Sequence, residues 1–199
     1  GEAISQRVVA ALLSSAFDRV LTVEAHLHRI RRLGEVFRCP ATSLSAAPLF
    51  AEHYRDRPGD WCIVGPDEES SAWALEIARR AGRPAVVGRK RRKGDRRVEI
   101  SLPPTGGATH AVVVDDVASS GETLCETARA LRASGVERVE AAVAHALFAQ
   151  DALQRMHAAQ LLRDGPGQDH GVDDVDDAVA GLDVGLHDGG AVALHARAG

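Results

Sequence analysis

The sequence predicts an α/β fold in which a mainly parallel sheet is flanked by helices. Short apolar runs occur at 61–64, 85–88 and 111–114, and such runs are typical of strands that are buried on both faces. A helix is expected after two of these runs, at 72–80 and at 124–133, and the second segment has apolar residues at helical spacing. Strand, polar turn and helix in this order are typical of open α/β sheets, which bind ligands outside the carboxyl ends of their strands.

The beginning of the chain predicts a helix, a strand and a second helix. An amphipathic pattern covers 2–15, and the run DRVLTV at 18–23 is typical of a strand. His26 follows this strand, together with a carboxylate. It is either an ordinary surface histidine or, because it stands at the carboxyl end of a strand, a ligand of Mg²⁺ or of a substrate hydroxyl. Residues 27–37 are expected to form a basic helix with a solvated or interface face.

The next segment repeats the order of strand, acid and helix. A helix is expected at 46–54, and the buried strand 61–64 is followed by Asp67 and then by another helix. Since Asp67 stands at the end of its strand, we expect it to face the same cleft as Asp115, which follows the strand 111–114.

A basic run, RKRRKGDRR at 89–97, follows the strand 85–88. In isolation such a run indicates a nucleic-acid patch or a solvated loop. The whole chain carries a formal net charge of −4, which argues against general nucleic-acid binding. We therefore expect a flexible cationic loop that closes over a phosphate site and neutralises a transferring pyrophosphoryl group. A strand at 98–102 would lead this loop back.

The stretch 111–124, AVVVDDVASSGETL, combines the features of a site for a phosphorylated sugar. Asp115 and Asp116 are expected just after the strand 111–114, and carboxylates suit sugar hydroxyls or a hard cation. The polar loop and the N-terminus of the helix 124–133 offer hydroxyls and backbone N–H groups, which suit a phosphate. The loop residues are Ser119, Ser120, Gly121, Glu122 and Thr123. The alternative is an ordinary strand-to-helix turn of a doubly wound fold.

The last clear strand is expected at 138–144, with a helix after Phe148. From about residue 163 the composition changes to Asp, Gly, Val, Ala and His, with little periodicity. This segment lacks an apolar framework that would fix metal ligands. Disorder or weak packing is therefore expected there instead of a metal site.

The overall composition suits a soluble protein of one domain, or of one domain and a piece of another. The chain has 199 residues, of which 45% are hydrophobic and 26% charged. Its three cysteines are scattered, which fits a reducing cytoplasm and not a disulfide framework. No apolar run is long enough to span a membrane, and no signal peptide is visible. We therefore expect a cytoplasmic protein with neither nucleic-acid nor membrane partners.

Four segments resemble motifs of known enzymes. Residues 114–123, VDDVASSGET, resemble the phosphoribosyl pyrophosphate loop of type I phosphoribosyltransferases, usually hydrophobic-Asp-Asp-x-x-x-Thr-Gly-x-Thr. Ser120 stands in place of the usual Thr and keeps the hydroxyl. Three more segments resemble motifs of ribose-phosphate pyrophosphokinases: TVEAH at 22–26 (Thr-x-Asp-x-His), VGPD at 64–67 (Ser-Pro-Asp) and KRR at 90–92 (the catalytic loop). The chain thus resembles a divergent member of that family.

This resemblance implies a phosphoribosyltransferase-like fold in tandem domains that assemble as a homo-oligomer. It also implies transfer of the β,γ-pyrophosphoryl group of ATP to the C1 hydroxyl of ribose 5-phosphate, with Mg²⁺ and with release of AMP. The loop 119–123 would hold the 5-phosphate. Asp115 and Asp116 would hold the ribose hydroxyls, directly or through Mg²⁺. Lys90 and Arg92 would stabilise charge on the transferred group.

The same resemblance assigns His26 and Asp67 to Mg²⁺, mostly through water. It divides the chain into three parts: a remnant of an N-terminal phosphoribosyltransferase-like domain at 1–38, a C-terminal domain of that kind at 39–162, and an atypical tail at 163–199. Family members carry about half of the enzyme before the point that matches the first residue. We therefore expect a chain that is truncated at its N-terminus.

Two other functions stay open. One is a non-catalytic phosphoribosyl-binding module, a regulatory subunit or an inactive fragment, which keeps residues 115–123 but does not use ATP. The other, which the sequence favours less, is a phosphoribosyltransferase that consumes phosphoribosyl pyrophosphate. No hood for recognising a base is visible in the sequence, and the Lys90 and Arg92 segment favours the pyrophosphokinase. Formation of AMP separates the pyrophosphokinase from both alternatives.

Overall fold

The computed structural model describes residues 5–27, 30–93, 97–149, 151–161, 182–184 and 194–196. Contacts between Cα atoms divide the chain into two compact units. The first unit comprises Gly1–Ala46 and Val184–Ala193, and the second comprises Ala47–Asp183 and Leu194–Gly199.

The first unit contains a helix and two parallel strands. Its elements are α1 (Ser5–Ala16), β1 (Val20–Val23), a single 3₁₀ turn (Leu33–Glu35) and β2 (Ala41–Leu44). Strands β1 and β2 pair in parallel over their full length, with Val20 opposite Ala41. The predicted first helix and first strand are therefore confirmed within the described residues.

The predicted basic helix at 27–37 is wrong. Its described part contains only the 3₁₀ turn Leu33–Glu35, where Leu33 is the buried residue. A short helix in water depends on an apolar face that packs against the rest of the protein, and this arginine-rich segment offers one buried side chain. The strand β2 that follows was not predicted, because its residues, ATSL, are mostly exposed and form no apolar run.

The second unit is built on four parallel strands. Its elements in chain order are α2 (Ala47–Arg55), β3 (Trp61–Gly65), α3 (Ser71–Ala81), β4 (Ala85–Val87), β5 (Arg89–Lys93), β6 (Arg97–Ser101), β7 (His110–Ala118), α4 (Glu122–Ala133), β8 (Arg138–Ala146) and α5 (Ala152–Ala158). The sheet has the order β4-β3-β7-β8, and each neighbouring pair is parallel. Two further strands, β9 (Leu182–Val184) and β10 (Leu194–Ala196), are described. The rest of the predicted tail at 163–199 lies outside the described residues.

The core of this unit has one layer on each side of the sheet. Successive side chains of a strand point to opposite faces, and β3 and β7 follow this rule. On one face, the buried residues are Cys62, Val64, Ala111 and Val113, with Leu124, Ala128 and Leu131 of α4 and Met156 of α5. On the other face, they are Ile63, Val112 and Val114, with Ala51 of α2 and with Ala74 and Ile77 of α3. The predicted parallel sheet flanked by helices is therefore confirmed.

Strand β7 is longer than the apolar run that predicts it. It continues through Asp115 and Asp116 because β8 is equally long and pairs with it, with Asp115 opposite Val143 and Val117 opposite His145. The two carboxylates therefore lie in the last part of the strand, and not after its end as the sequence suggested. Both residues are half-buried.

Residues 89–93 of the basic run form a strand, so the prediction of a cationic loop is wrong for these residues. Strand β5 pairs with β6 in antiparallel fashion, with Lys90 opposite Ile100 and Arg92 opposite Val98. Pairing satisfies part of the backbone of this polar segment, and Ile100 is buried. The predicted return strand at 98–102 is confirmed as β6.

Candidate functional site

The carboxyl ends of β3 and β7 bring the predicted site residues of the second unit to one edge of the sheet. These two strands are neighbours and run in the same direction. The turn after β3, which carries Asp67, and the loop after β7, at 119–121, therefore lie side by side. The hairpin of β5 and β6 starts at the same edge, because Gly88 N–H donates to the carbonyl of Gly65 at 2.8 Å.

Asp67 uses its two carboxylate oxygens differently. Its Oδ1 accepts hydrogen bonds from the backbone N–H groups of Glu69 (3.1 Å) and Ser70 (3.2 Å). These bonds cap the turn that leads into α3. Its Oδ2 lies 3.5 Å from the Nζ of Lys90. Asp67 is thus both a structural cap and a charged group of the site.

Lys90 joins two segments that are far apart in the sequence. Its Nζ donates to the Oγ1 of Thr123 at 3.2 Å, in the first turn of α4, and it is also close to Asp67. The Lys90 side chain is only 30% exposed and that of Asp67 only 13%. The segments that resemble the catalytic loop, the Ser-Pro-Asp segment and the phosphoribosyl loop therefore meet at this ammonium group.

Asp115 lies in a crowded acidic environment. Burial, first of all, and the negative charges of Asp116 and Asp67 together raise the pKa of its carboxyl from 3.8 to about 7. The backbone N–H of Asp116, which donates to Asp115 Oδ1 at 3.1 Å, and the charge of Lys90 oppose this rise in the pKa. Asp116 and Asp67 thus act on Asp115 as negative neighbours and Lys90 as a positive one, and a cation or hydroxyl donors would favour the ionised form of Asp115.

The loop between β7 and α4 is held in a shape that requires glycine. Gly121 has φ +70°, and a Cβ at this position would lie 3.0 Å from the Cγ of Met156 in α5. The first hydrogen bond of α4 runs from the N–H of Cys125 to the carbonyl of Gly121. The N–H groups of the three residues between them therefore precede the helical ladder, as at any helix N-terminus, and such groups suit a phosphate.

The segment that contains α5 supports this loop from behind, which the sequence did not indicate. Ala149 N–H donates to the carbonyl of Ser119 at 3.0 Å, and Arg155 Nε donates to that of Ser120 at 3.3 Å. Arg155 is itself paired with Asp151. These contacts join positions about thirty residues apart, and no local pattern predicts them.

The remaining predicted residues are placed as follows. Glu122 is exposed in the first turn of α4, and its N–H donates to Ser120 Oγ at 3.4 Å. Arg92 belongs to β5. His26 belongs to the first unit, just after β1, whereas the other predicted site residues belong to the second. Beside it, Glu24 has φ +41° and accepts hydrogen bonds from Ser45 Oγ and from the N–H of Ala46.

The carboxylates fit a cation that is only partly held by protein. Among the described residues, no group of three or more His, Cys, Asp or Glu could hold a metal ion by itself. Mg²⁺ usually keeps several waters and binds through one or two carboxylates and the phosphates of a substrate. The mutual repulsion of Asp115, Asp116 and Asp67 is a charge imbalance that such an ion would relieve.

None of the described helices combines the length and the apolar character that crossing a bilayer requires.

The chain matches a known domain family over most of its length. Residues 33–176 match the model of the phosphoribosyl transferase domain. This range contains the whole loop between β7 and α4, together with Asp67 and Lys90.

Curated relatives carry the name ribose-phosphate pyrophosphokinase. The protein of Archaeoglobus fulgidus is 32% identical over 158 residues, which cover 78% of this chain and 54% of the relative. That of Methanopyrus kandleri is 35% identical over 166 residues, which cover 80% of this chain and 55% of the relative. The chain thus spans about half the length of these relatives.

A solved structure shows the same architecture. The phosphoribosylpyrophosphate synthetase of Mycobacterium smegmatis superposes with a TM-score of 0.65 at 28% sequence identity. The superposition covers 78% of this chain and 50% of the other. The fold is therefore phosphoribosyltransferase-like.

Proposed function

Since this chain belongs to the phosphoribosyl transferase domain family, we propose that it acts as a ribose-phosphate pyrophosphokinase that makes phosphoribosyl pyrophosphate for nucleotide biosynthesis. The names of its curated relatives, at 32% and 35% identity, support this activity. The structural observation that carries the proposal is the position of Lys90, whose ammonium lies beside both Asp67 and Thr123. This contact unites three segments that would otherwise be separate, weak motifs.

Ribose 5-phosphate would bind at the edge formed by β7 and α4. The loop 119–123 supplies hydroxyls and the N–H groups at the start of α4, and these would hold the 5-phosphate. Asp115 and Asp116 would accept hydrogen bonds from the ribose hydroxyls, directly or through Mg²⁺. Binding of hydroxyl donors favours the ionised form of Asp115, whose pKa is raised to about 7 in the free protein.

The reaction would transfer the β,γ-pyrophosphoryl group of ATP. The C1 hydroxyl oxygen of ribose 5-phosphate forms a bond to the β-phosphorus, the bond between this phosphorus and the α,β-bridging oxygen breaks, AMP leaves, and the hydroxyl proton passes to solvent. Lys90 and Arg92 would stabilise the charge on the transferred group. As in other phosphoryl transfers, positioning and electrostatic stabilisation would supply most of the rate enhancement.

A divalent cation, Mg²⁺ in this proposal, completes the charge balance. His26 and Asp67 would organise it, mostly through water, and it would neutralise charge on the triphosphate. The carboxylates around Asp115 suit such an ion because they repel one another. We further propose a cytoplasmic location and assembly as a homo-oligomer.

A second candidate is a non-catalytic phosphoribosyl-binding module or an inactive fragment. The described side-chain contacts of the site lie around the ribose 5-phosphate loop, and a module that binds ribose 5-phosphate without using ATP would need no more. A phosphoribosyltransferase fits less well. The clearest use of a lysine on a strand beside the loop is to stabilise the charge on a pyrophosphoryl group that is transferred from ATP.

Two measurements on the 199-residue chain test the proposal. One follows AMP formation from ATP, ribose 5-phosphate and MgCl₂, and the other follows binding of ribose 5-phosphate by calorimetry. The pyrophosphokinase gives both signals, and Asp115→Asn weakens binding of the sugar phosphate. Binding without AMP supports the non-catalytic module instead. If a folded sample shows neither signal, both functions are rejected.

A further inference from the structure

Lys90 contacts the ribose 5-phosphate loop in the free protein. Its Nζ lies 3.2 Å from Thr123 Oγ1 and 3.5 Å from Asp67 Oδ2. A residue that served only the transferred pyrophosphoryl group would have no need of the first contact, because Thr123 belongs to the opposite end of the substrate. The position of Lys90 thus indicates a task that begins before ATP takes part.

The direction of this hydrogen bond leaves the Thr123 hydroxyl free to donate. An ammonium has three donors and no acceptor, whereas a hydroxyl has one donor and two acceptor lone pairs. Lys90 must therefore donate to Thr123 Oγ1, and the Thr123 O–H can donate to a further oxygen. Its neighbour in the chain, Glu122, starts the helix whose first N–H groups precede the hydrogen-bonded ladder.

The ammonium also has a donor to spare. The described contacts with Thr123 and Asp67 account for two of its three N–H bonds. A phosphate oxygen at the start of α4 could accept the third. The ammonium and the N-terminus of α4 would both attract the doubly negative 5-phosphate.

The backbone of Lys90 is fixed at the base of the hairpin. Gly88, two residues earlier, bonds to Gly65, and a Cβ on Gly88 would lie 2.4 Å from the carbonyl oxygen of Pro66. Lys90 itself pairs with Ile100, which is buried. Lys90 is therefore attached to the sheet edge, whatever the conformation of the far end of the hairpin.

We infer that Lys90 is a positioning residue for the 5-phosphate of ribose 5-phosphate, which it holds through the hydroxyl of Thr123 and by its own charge. This role rests on the proposed function. Lys90 would bind the substrate in the ground state, in addition to stabilising charge on the transferred pyrophosphoryl group. It makes Lys90 and Thr123 a coupled pair that recognises a phosphate monoester on the sugar.

The test measures the binding of ribose 5-phosphate and of D-ribose, without ATP, by NMR titration of the ¹⁵N-labelled 199-residue chain. Lys90→Met keeps the apolar stem and removes the charge, and Thr123→Val keeps the shape and removes the hydroxyl. Each variant is expected to bind ribose 5-phosphate about tenfold more weakly than the wild type and to bind D-ribose with unchanged affinity. Because the two side chains act together, the double variant is expected to bind only slightly more weakly than the worse single variant.

Matched variants separate this role from general effects of charge and folding. Arg89→Met removes the same charge from the preceding residue of β5, an exposed side chain on the opposite face of the strand, and is expected to bind like the wild type. Lys90→Arg keeps the charge and is expected to retain part of the affinity. Urea unfolding of each variant shows whether the fold is intact.

Several outcomes would overturn the inference. Unchanged affinity of Lys90→Met for ribose 5-phosphate would restrict Lys90 to the transferred group and leave the proposed function standing. An equal loss of affinity for ribose 5-phosphate and for D-ribose would also contradict it. So would a double variant whose loss of affinity equals the product of the losses in the two single variants. If Lys90→Met unfolds, the affinities of Lys90→Arg and Thr123→Val for ribose 5-phosphate test the inference instead. Wild-type affinity of Thr123→Val would reject the coupling of Lys90 and Thr123. A folded wild-type chain that does not bind ribose 5-phosphate rejects the proposed function and this inference together.

Discussion

Among single residues, Asp115 shows how the fold changes the chemistry of a side chain. In an unfolded chain its carboxyl would ionise at its usual pKa of 3.8, whereas burial and two neighbouring carboxylates raise that pKa to about 7. A sugar hydroxyl can donate to it fully only when it is ionised. The free protein thus holds Asp115 close to a protonation change that substrate or a cation would complete.

Asp115 should make the protein less stable as the pH rises. The folded pKa lies above the unfolded one, so the folded state binds more protons between about pH 4 and pH 7, and the contribution of this group to the free energy of unfolding falls across that range. Asp115→Asn cannot ionise, so it is expected to lose less stability between pH 5 and pH 8 than the wild type. The midpoint of urea unfolding at the two pH values measures the difference.

Asp18→Asn is a suitable control for this comparison. Asp18 is exposed in the first unit, so its replacement removes a charge of the same sign outside the site. A pH dependence as steep in Asp115→Asn as in the control would show that Asp115 does not carry this effect.

Gly121 shows that a motif residue can have two reasons for its identity. The sequence suggested that a glycine lets the backbone approach a phosphate. The structure adds that its φ is positive and that Met156 packs where a Cβ would stand. The close approach of the backbone concerns the ligand, whereas the contact with Met156 concerns the packing of α5 behind the loop.

At the scale of elements, the hairpin of β5 and β6 is the part that the site depends on most directly. It carries Lys90 to the carboxyl edge of the parallel sheet, although neither strand belongs to that sheet. Gly88 makes this attachment possible, because the hairpin starts against the backbone of the turn after β3. The same turn carries Asp67. The close approach of Gly88 to this turn therefore places both Lys90 and Asp67, which form an ion pair.

Gly88→Ala should separate the hairpin from this turn. The added Cβ would lie 2.4 Å from the carbonyl oxygen of Pro66, which is backbone and cannot rotate away. Crowding of this kind typically costs about 1–3 kcal/mol, so we expect a lower free energy of unfolding in urea and weaker binding of ribose 5-phosphate.

Gly34→Ala is the matched control for Gly88→Ala. Nothing lies within 4 Å of a Cβ at Gly34, and its φ is not in the left-handed region. We expect it to leave stability and binding close to wild type. If both glycine variants behave alike, the close approach at Gly88 does not hold the hairpin in place.

At the scale of the whole second unit, an ion pair ties the connection before β3 to β8, which is not a neighbour of β3 in the sheet. Arg57, in the connection before β3, binds Glu140 of β8 through both terminal nitrogens of its guanidinium group, and the Nη1–Oε2 distance is 2.7 Å. The two side chains are 22% and 18% exposed. The hydrogen bond to Glu140 is the main reason that the pKa of Arg57 lies above its usual value.

Arg57→Met should destabilise the protein by removing the two hydrogen bonds that Arg57 donates to the half-buried Glu140 carboxylate. The expected loss in the free energy of unfolding is about 1–3 kcal/mol, and adding Glu140→Met should recover part of it because the half-buried negative charge is then absent as well. Urea unfolding of both single variants and the double variant measures the coupling.

An exposed pair provides the comparison for Arg57→Met. Arg79→Met removes the charge that pairs with Glu76 on the surface of α3, where solvent screens the interaction, and it is expected to change the unfolding midpoint little. Equal effects of Arg57→Met and Arg79→Met would argue that burial of the pair with Glu140 contributes nothing.

The sequence by itself determined the inner strands and the order of polar residues in the loop that we propose for the phosphate. Runs such as 61–64 and 111–114 are apolar at every position, and only a strand covered on both faces can bury all of them. The order of carboxylates, hydroxyls and glycine at 115–123 is likewise local. Both features could be predicted because their physical cause lies within a few adjacent residues.

Only the tertiary structure decided how far each element extends and which groups meet. β7 runs on through its acid pair because β8 pairs with it, and residues 89–93 of the basic run form a strand because β6 pairs with them. The described part of 27–37 forms no α-helix because too little of it is buried. Lys90 reaches Thr123, 33 positions away, because the turn after β3 and the loop after β7 leave neighbouring strands. The order of strands in the sheet creates that contact, and no local pattern of residues predicts the order of strands.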